Sequence, residues 1–187
     1  MTALAVWAGV IVTDLARAVG WWAEATGARV AETGERWAAL AFPDGSCIEL
    51  HEGDPERPGL TFPSYGGDPG PAVMPGFSVD DADEHAGRLV VTRSLPGWLV
   101  VVAPGGLRVV LADRDTEAGR GLVGFAFEST EAAALQSFLE SLDARCNVEA
   151  GSRTRVVPLV AASEEAEVTD PEGNLLRLVR RSPHAVA

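Results

Sequence analysis

Glu49 and His51 stand two residues apart in the run SCIELHE at 46–52. Side chains of an extended strand repeat with period 2, so the spacing predicts both on one strand face. A carboxylate beside an imidazole can exchange protons with a substrate or supply two residual ligands to a metal. A strand-end histidine in solvent next to an acidic neighbour has the same spacing, so the pair alone leaves its role open. Little else in the chain offers chemistry. Cys47 and Cys146 are its two cysteines, too few for a disulfide framework or a metal cluster, and a reducing cytoplasm is their simplest setting. There is no GxSxG and no Cys/His arrangement with catalytic spacing, and GGDPG at 66–70 lacks the strand, lysine and helix of a phosphate loop. His85 and His184 read as surface residues, and nothing nominates a nucleophile.

Hydrophobic residues make up 47% and charged residues 22% of the 187, the usage of a globular chain with a real core. The net charge of -12 repels a phosphate backbone, which argues against nucleic acid as a partner, and attracts small cations. The apolar start ALAVWAGVIV has no basic n-region or small-residue cleavage site and is too short to span a bilayer. It predicts a first strand, and no membrane partner. Ala-, Gly- and Arg-rich usage points to a bacterial source. Residues 53–71, GDPERPGLTFPSYGGDPGP, predict one long loop, in which Phe62 and Tyr65 either close over a ligand or pack on the domain.

The elements that must position Glu49 and His51 are written as a repeat. FPDGSCIEL at 42–50, APGGLRVVL at 103–111 and DPEGNLLRL at 170–178 each place proline second, glycine fourth and leucine ninth. Proline presets the first corner of a turn and glycine accepts a positive φ, so each copy predicts a turn feeding a strand. GVIVTD at 9–14, GFSVDD at 76–81 and GFAFES at 124–129 each give glycine, a β-rich run and a polar helix-capping residue. Leu15, Val19 and Trp22 then have helical spacing in 15–27, as do Leu135, Phe138, Leu139 and Leu142 in 130–144, with a shorter version at 81–90. ARVAETG, RWAALAFP and SCIELHE follow as strands in the first unit, GWLVVVAP and LRVVLAD in the second. The unit is β-α-β-β-β, occurring over roughly 1–52, 72–113 and 120–181. So small a unit cannot bury both faces of its sheet alone. The expected organisation is a paired-module domain at 1–113 and a third module with a short tail at 114–187.

The glycine-led strand ending in Asp, the helix with Trp21 and Trp22 near its end, the Thr26-Gly27 that closes it and the DPEGN-type turn together resemble the vicinal oxygen chelate superfamily. That superfamily includes glyoxalases, extradiol dioxygenases and bleomycin resistance proteins. The resemblance implies an α+β fold in which βαβββ modules pair and their curved mixed sheets surround a cavity. It also implies that metal ligands, where the family has them, would fall on Trp7, Glu49, Met74 and Val110. One carboxylate does not hold a catalytic metal, so neither metal nor other cofactor is expected.

Trp7 and Met74 at those places favour planar or apolar ligands, and the implied ligand-binding set is Trp7, Trp22, Glu49, His51, Phe62, Tyr65, Met74 and Val110. Three functions follow from the resemblance. One is a non-catalytic binding protein, resembling the bleomycin resistance group, that sequesters a bulky small molecule, for which the acidic surface favours an aromatic cation. Another is a metal-independent isomerase or lyase using Glu49 and His51 as its catalytic pair. The third is a structural or regulatory module whose cavity is filled. The odd number of modules leaves a third sheet with an uncovered apolar face, which predicts a homodimer through a twofold axis, with an intramolecular lid as the alternative.

Overall fold

A computed structural model of the chain describes residues 4–53, 73–79, 81–82, 86–95, 98–113, 122–144, 146–171 and 173–180. The first unit is β1 (Leu4–Val12), α1 (Leu15–Thr26), β2 (Arg29–Thr33), β3 (Trp37–Ala41) and β4 (Cys47–Glu52). Asp14 caps α1 by accepting from the Arg17 backbone N–H at 3.0 Å. Gly27 ends it with φ 70°, a left-handed conformation open to glycine, and donates its N–H to Ala23 O. The second unit is β5 (Val73–Val79), β6 (Val90–Leu95), β7 (Trp98–Val102) and β8 (Arg108–Asp113). Its second strand, β6, is missed by the sequence reading, which carries the short helix to residue 90. That helix falls largely outside the described residues. No helix among the described residues is long and apolar enough to cross a membrane.

These eight strands form one mixed sheet in the order β2-β3-β4-β1-β5-β8-β7-β6. In each unit the opening strand runs parallel to the closing one, β1 to β4 and β5 to β8, while β1 and β5 join the units antiparallel. The two modules of 1–113 therefore share a single sheet.

The rest of the chain makes a five-stranded sheet, β10-β9-β11-β13-β12, from β9 (Leu122–Ser129), β10 (Asn147–Ala150), β11 (Arg155–Ala162), β12 (Ala166–Thr169) and β13 (Leu175–Arg180). Helix α2 (Ala132–Ser141) bridges β9 and β10. This is not a third copy of the first two units. The closing strand β13 lies parallel to β11, and β9 lies parallel to β10 and antiparallel to β11. The pairings parallel, antiparallel, parallel across β10-β9-β11-β13 are those of β4-β1-β5-β8 at the centre of the large sheet. The second half is thus two abbreviated units rather than one complete unit.

The repeated turn is conserved in detail within the chain. Phe42, Ala103 and Asp170 each donate their N–H to the carbonyl four residues on, at 2.9, 2.7 and 2.9 Å. Gly45, Gly106 and Gly173 return a hydrogen bond to the same three residues at 3.1, 3.2 and 3.1 Å, with φ of 87°, 74° and 90°. The turn needs glycine at its fourth place because a side chain resists that backbone region.

One continuous core holds the two sheets together. Ala8, Val10, Val12, Val73, Phe77 and Val79 of the large sheet join Leu122, Phe125, Phe127, Val156, Val160 and Leu176 of the small one, all buried. Phe77 and Phe125 meet edge-on with centroids 5.5 Å apart. The apolar face on which the homodimer expectation rested is therefore covered from within the chain. Polar ties cross the same seam: Trp22 Nε1 donates to Asp170 Oδ2 at 3.0 Å, Asn174 Nδ2 to Ile11 O at 3.4 Å, and Leu122 N to Ser46 Oγ at 3.1 Å.

Trp22→Phe keeps an aromatic ring in the core and removes the donor to Asp170. The expected loss in unfolding free energy is about 1–3 kcal/mol, the cost of leaving a buried acceptor short of a partner. Urea denaturation measures it. Trp21→Phe, at a half-buried position, is expected to cost less than about 1 kcal/mol. Equal losses in the two variants would show that the hydrogen bond does not tie the seam.

Candidate functional site

The large sheet has a second face, turned away from that core. Alternation along each strand decides what it carries. On β4, Ile48 and Leu50 enter the main core, and Cys47, Glu49 and His51 point the other way, each half-buried. On β1 and β5 the same alternation places Trp7, Gly9 and Ile11, and Met74 and Gly76, on this far face. Ile11, Met74, Val100 and Val110 form a separate apolar cluster there, with Trp7 packed against it. Strand register brings the positions together: Trp7 stands beside Cys47 and Gly76, Gly9 beside Glu49 and Met74, and Gly76 beside Val110.

Trp7 occupies the middle. A Cβ at Gly9 would collide with Trp7 Cη2, and one at Gly76 would stand 2.9 Å from Trp7 Cβ. The indole is thus laid over two glycines, which explains why neither position tolerates a side chain while Trp7 keeps this pose. Their absence of side chains lets a ring lie along the sheet instead of standing on it.

Glu49 is the charged centre. Its Oε2 lies 3.0 Å from His51 Nε2, with side-chain exposures of 27% for Glu49 and 19% for His51. Burial works to raise its pKa, but hydrogen bonds from His51 and Trp7 and the charge of His51 together outweigh it, holding Glu49 below its ordinary value. Cys47 is pushed up to about 12, first by burial and then by the neighbouring Glu49. Cys146 also reaches about 12, through burial that a backbone hydrogen bond from Phe125 only partly offsets. Neither thiol has the thiolate character of a nucleophile. Farther along β5, the buried Ser78 hydroxyl has no hydrogen-bond partner among the described residues.

The structure therefore assembles Trp7, Glu49, His51, Met74 and Val110 on one face. Trp22 is not with them: it is fully buried in the main core on the opposite side of the sheet, bound to Asp170. Its helical spacing marks it correctly as inward-facing, but inward from α1 is away from this face. Phe62 and Tyr65 lie outside the described residues, as do His85 and His184. Sequence reasoning misses Ile11, Cys47, Val100 and Trp37, the last directly across from His51 on β3. The alternation of CIELHE and WAALA carries the signal for Cys47 and Trp37, whereas Val100 sits in an unbroken apolar run where alternation is invisible.

Of the four places where the resemblance puts metal ligands, only Glu49 offers a donor suited to a hard cation. Cys47, Glu49 and His51 share a strand face. At about 3.3 Å per residue, however, the ends of that trio are about 13 Å apart along the strand. Among the described residues, no group of three or more His, Cys, Asp or Glu side chains is placed to hold a metal ion.

Similar folds occur in solved structures of homoprotocatechuate 2,3-dioxygenases. A variant of the enzyme from B. fuscum superposes with a TM-score of 0.68 at 13% identity, covering 98% of this chain and 74% of that chain. The enzyme from Arthrobacter globiformis gives 0.67 at 12% identity, covering 98% of this chain and 82% of that chain. At such identity the likeness is one of fold. A comparison with curated proteins finds no match. The sequence itself matches the family described as the Glyoxalase/Bleomycin resistance protein/Dioxygenase superfamily over residues 5–178, a span that includes nearly all of both sheets. On that match, and on the paired parallel units it contains, the chain belongs to the Glyoxalase/Bleomycin resistance protein/Dioxygenase superfamily.

Proposed function

We propose that the far face of the large sheet binds a small planar cation without a catalytic metal, in a sequestering role like that of the bleomycin resistance branch. The observation that carries this reading is the Glu49 carboxylate, held ionised by Trp7 and His51 at the margin of the Ile11, Met74, Val100 and Val110 patch. A fixed negative charge beside an aromatic ring and an apolar floor attracts a flat cation through charge and ring contact together. The net charge of -12 concentrates cations near the whole surface.

A chelated divalent metal does not fit the donor set of Trp7, Glu49, Met74 and Val110, in which Glu49 is the one oxygen donor. The structural relatives share the fold at 12–13% identity, and a shared fold does not fix a reaction. The 3.0 Å contact between Glu49 and His51 favours one second reading, a metal-independent isomerase or lyase in which His51 moves a proton and Glu49 orients it. A carboxylate already held below its ordinary value serves better as an orienting charge than as the proton carrier.

Titrating proflavine, a planar cation, while following tryptophan fluorescence tests the binding reading. Glu49→Gln is expected to weaken binding about tenfold, because a half-buried charge loses its counterpart. Trp7→Ala removes a ring contact of about 0.5–1.5 kcal/mol beyond its buried area. Affinities that ignore both substitutions would exclude this face. Exhaustive dialysis against a chelator is expected to leave the affinity unchanged, and its loss would mean that a metal completes the site.

The charge state has its own test in stability. The folded-state pKa of Glu49 lies below its ordinary 4.5, so its contribution is whole above that value and disappears as the pH falls through the lowered one. Wild type is therefore expected to lose more stability than Glu49→Gln between about pH 6 and about pH 3. Parallel losses would show that Glu49 is not held as an anion by its neighbours.

A further inference from the structure

On the opposite side of the large sheet, a groove of about 490 Å³ runs between α1 and the edge of the small sheet. Trp21, Glu24 and Ala25 line it from the helix, and Val168, Thr169 and Leu178 from β12 and β13. We propose that this groove is a second binding site, independent of the far face, and that its ligand is a planar organic cation.

The helix presents the three residues by its own periodicity. Trp21, Glu24 and Ala25 stand at i, i+3 and i+4 and share one face, while Ala18 and Trp22 take the neighbouring face into the core. Trp21 is only half-buried, yet its ring is braced: Trp22 meets it edge-on at a centroid distance of 5.4 Å and an interplanar angle of 76°. Trp22 is in turn fixed by Asp170. An exposed ring wall held this firmly costs little further ordering when a flat molecule stacks on it.

The charge of the groove has one sign. Glu24 is exposed and has no hydrogen-bond or ion-pair partner among the described residues, none of which lines the groove with a basic side chain. A carboxylate beside a tryptophan ring, above Val168 and Leu178, is chemically complementary to a flat cation and repels an anion. Its volume lies within the range of about 300–1,000 Å³ typical of small-molecule sites, and such sites favour seams between packed units. The groove lies along such a seam, with its helical wall from the first half of the chain and its strand wall from the second. β12 is the outermost strand of its sheet, so one of its edges also offers unpaired backbone groups.

Calorimetric titration of the full chain with proflavine at low salt tests the proposal. Wild type is expected to bind two equivalents, of which Glu49→Gln weakens one. Glu24→Gln, an exposed and conservative change, is expected to weaken the other about two- to fivefold, the scale of a single exposed charge pair. Trp21→Ala is expected to weaken that same equivalent about tenfold. Uptake of one equivalent that responds only to Glu49→Gln would overturn the groove site, as would two equivalents indifferent to both groove variants, or no uptake at all. One equivalent that survives Glu49→Gln and weakens in Glu24→Gln would support the groove and overturn the far-face reading instead.

Discussion

The hydrogen bond from the Trp22 indole to Asp170 reaches between elements that are 148 residues apart in sequence. Asp170 is 4% exposed and also accepts from the Asn174 backbone at 2.8 Å and from its side chain at 2.9 Å. Asn174 in turn reaches Ile11 O on β1. A turn in the small sheet, the first helix and the first strand are thereby fixed to one another through a single buried carboxyl group. A buried polar group without partners is costly, so each of these contacts helps offset the burial of the carboxyl group. The packing of Phe77 on Phe125 then closes the seam with apolar area that needs no direction of its own. With the main core held on one side of the large sheet, the strands have a defined inside, and the alternate residues Trp7, Glu49, His51 and Met74 are committed to the other.

Much of this was legible in the sequence because local chemistry enforces it. Asp14 and Gly27 bound α1 where capping rules place them, and the glycines of the three repeated turns take the left-handed conformation that their spacing demands. The error about the third unit also has a physical origin. Its final turn belongs with β11, not β9, and β11 begins without the leading glycine and carries Pro158 in its middle. Proline inside a strand ordinarily marks an edge or an interruption. Here Pro158 pairs with Phe125 in the interior of the small sheet, as Pro75 pairs with Ala8 in the interior of the large one. The two prolines occupy corresponding antiparallel junctions, so what reads as a break is a shared feature of the joint between units. The missing partner for the third sheet was a consequence of counting three units where the chain has two complete and two abbreviated ones.

The site was less evenly legible. Period 2 in IELHE is enough to place Glu49 with His51, and the resemblance places Trp7, Met74 and Val110 beside them. The hydrogen bond from Trp7 to Glu49 has no local signature, because it crosses from one strand to another and depends on where an indole can lie. Gly9 and Gly76 carry the trace of it. Each reads as the punctuation of a strand, yet each is also the bare backbone over which Trp7 folds. Trp22 illustrates the opposite limit: periodicity identifies the buried face of a helix but does not say on which side of the sheet that face is buried.

Trp7 and Met74 stand at two of the places where the resemblance would put metal ligands, and they change what the face offers. A metal at this place would carry positive charge, and the surrounding groups would have to present anions and neutral donors to it. Here a tryptophan lies over the two glycines, and although burial works to raise the Glu49 pKa, hydrogen bonds from His51 and the indole and the charge of His51 hold it below its ordinary value. Under the proposed binding role, the face draws a cation to a carboxylate. Ile48, Leu50, Val10 and Phe77, which pack the strands into the main core, all lie on the other face. Two-sided strands let the chemistry of one face vary while the packing of the other is kept.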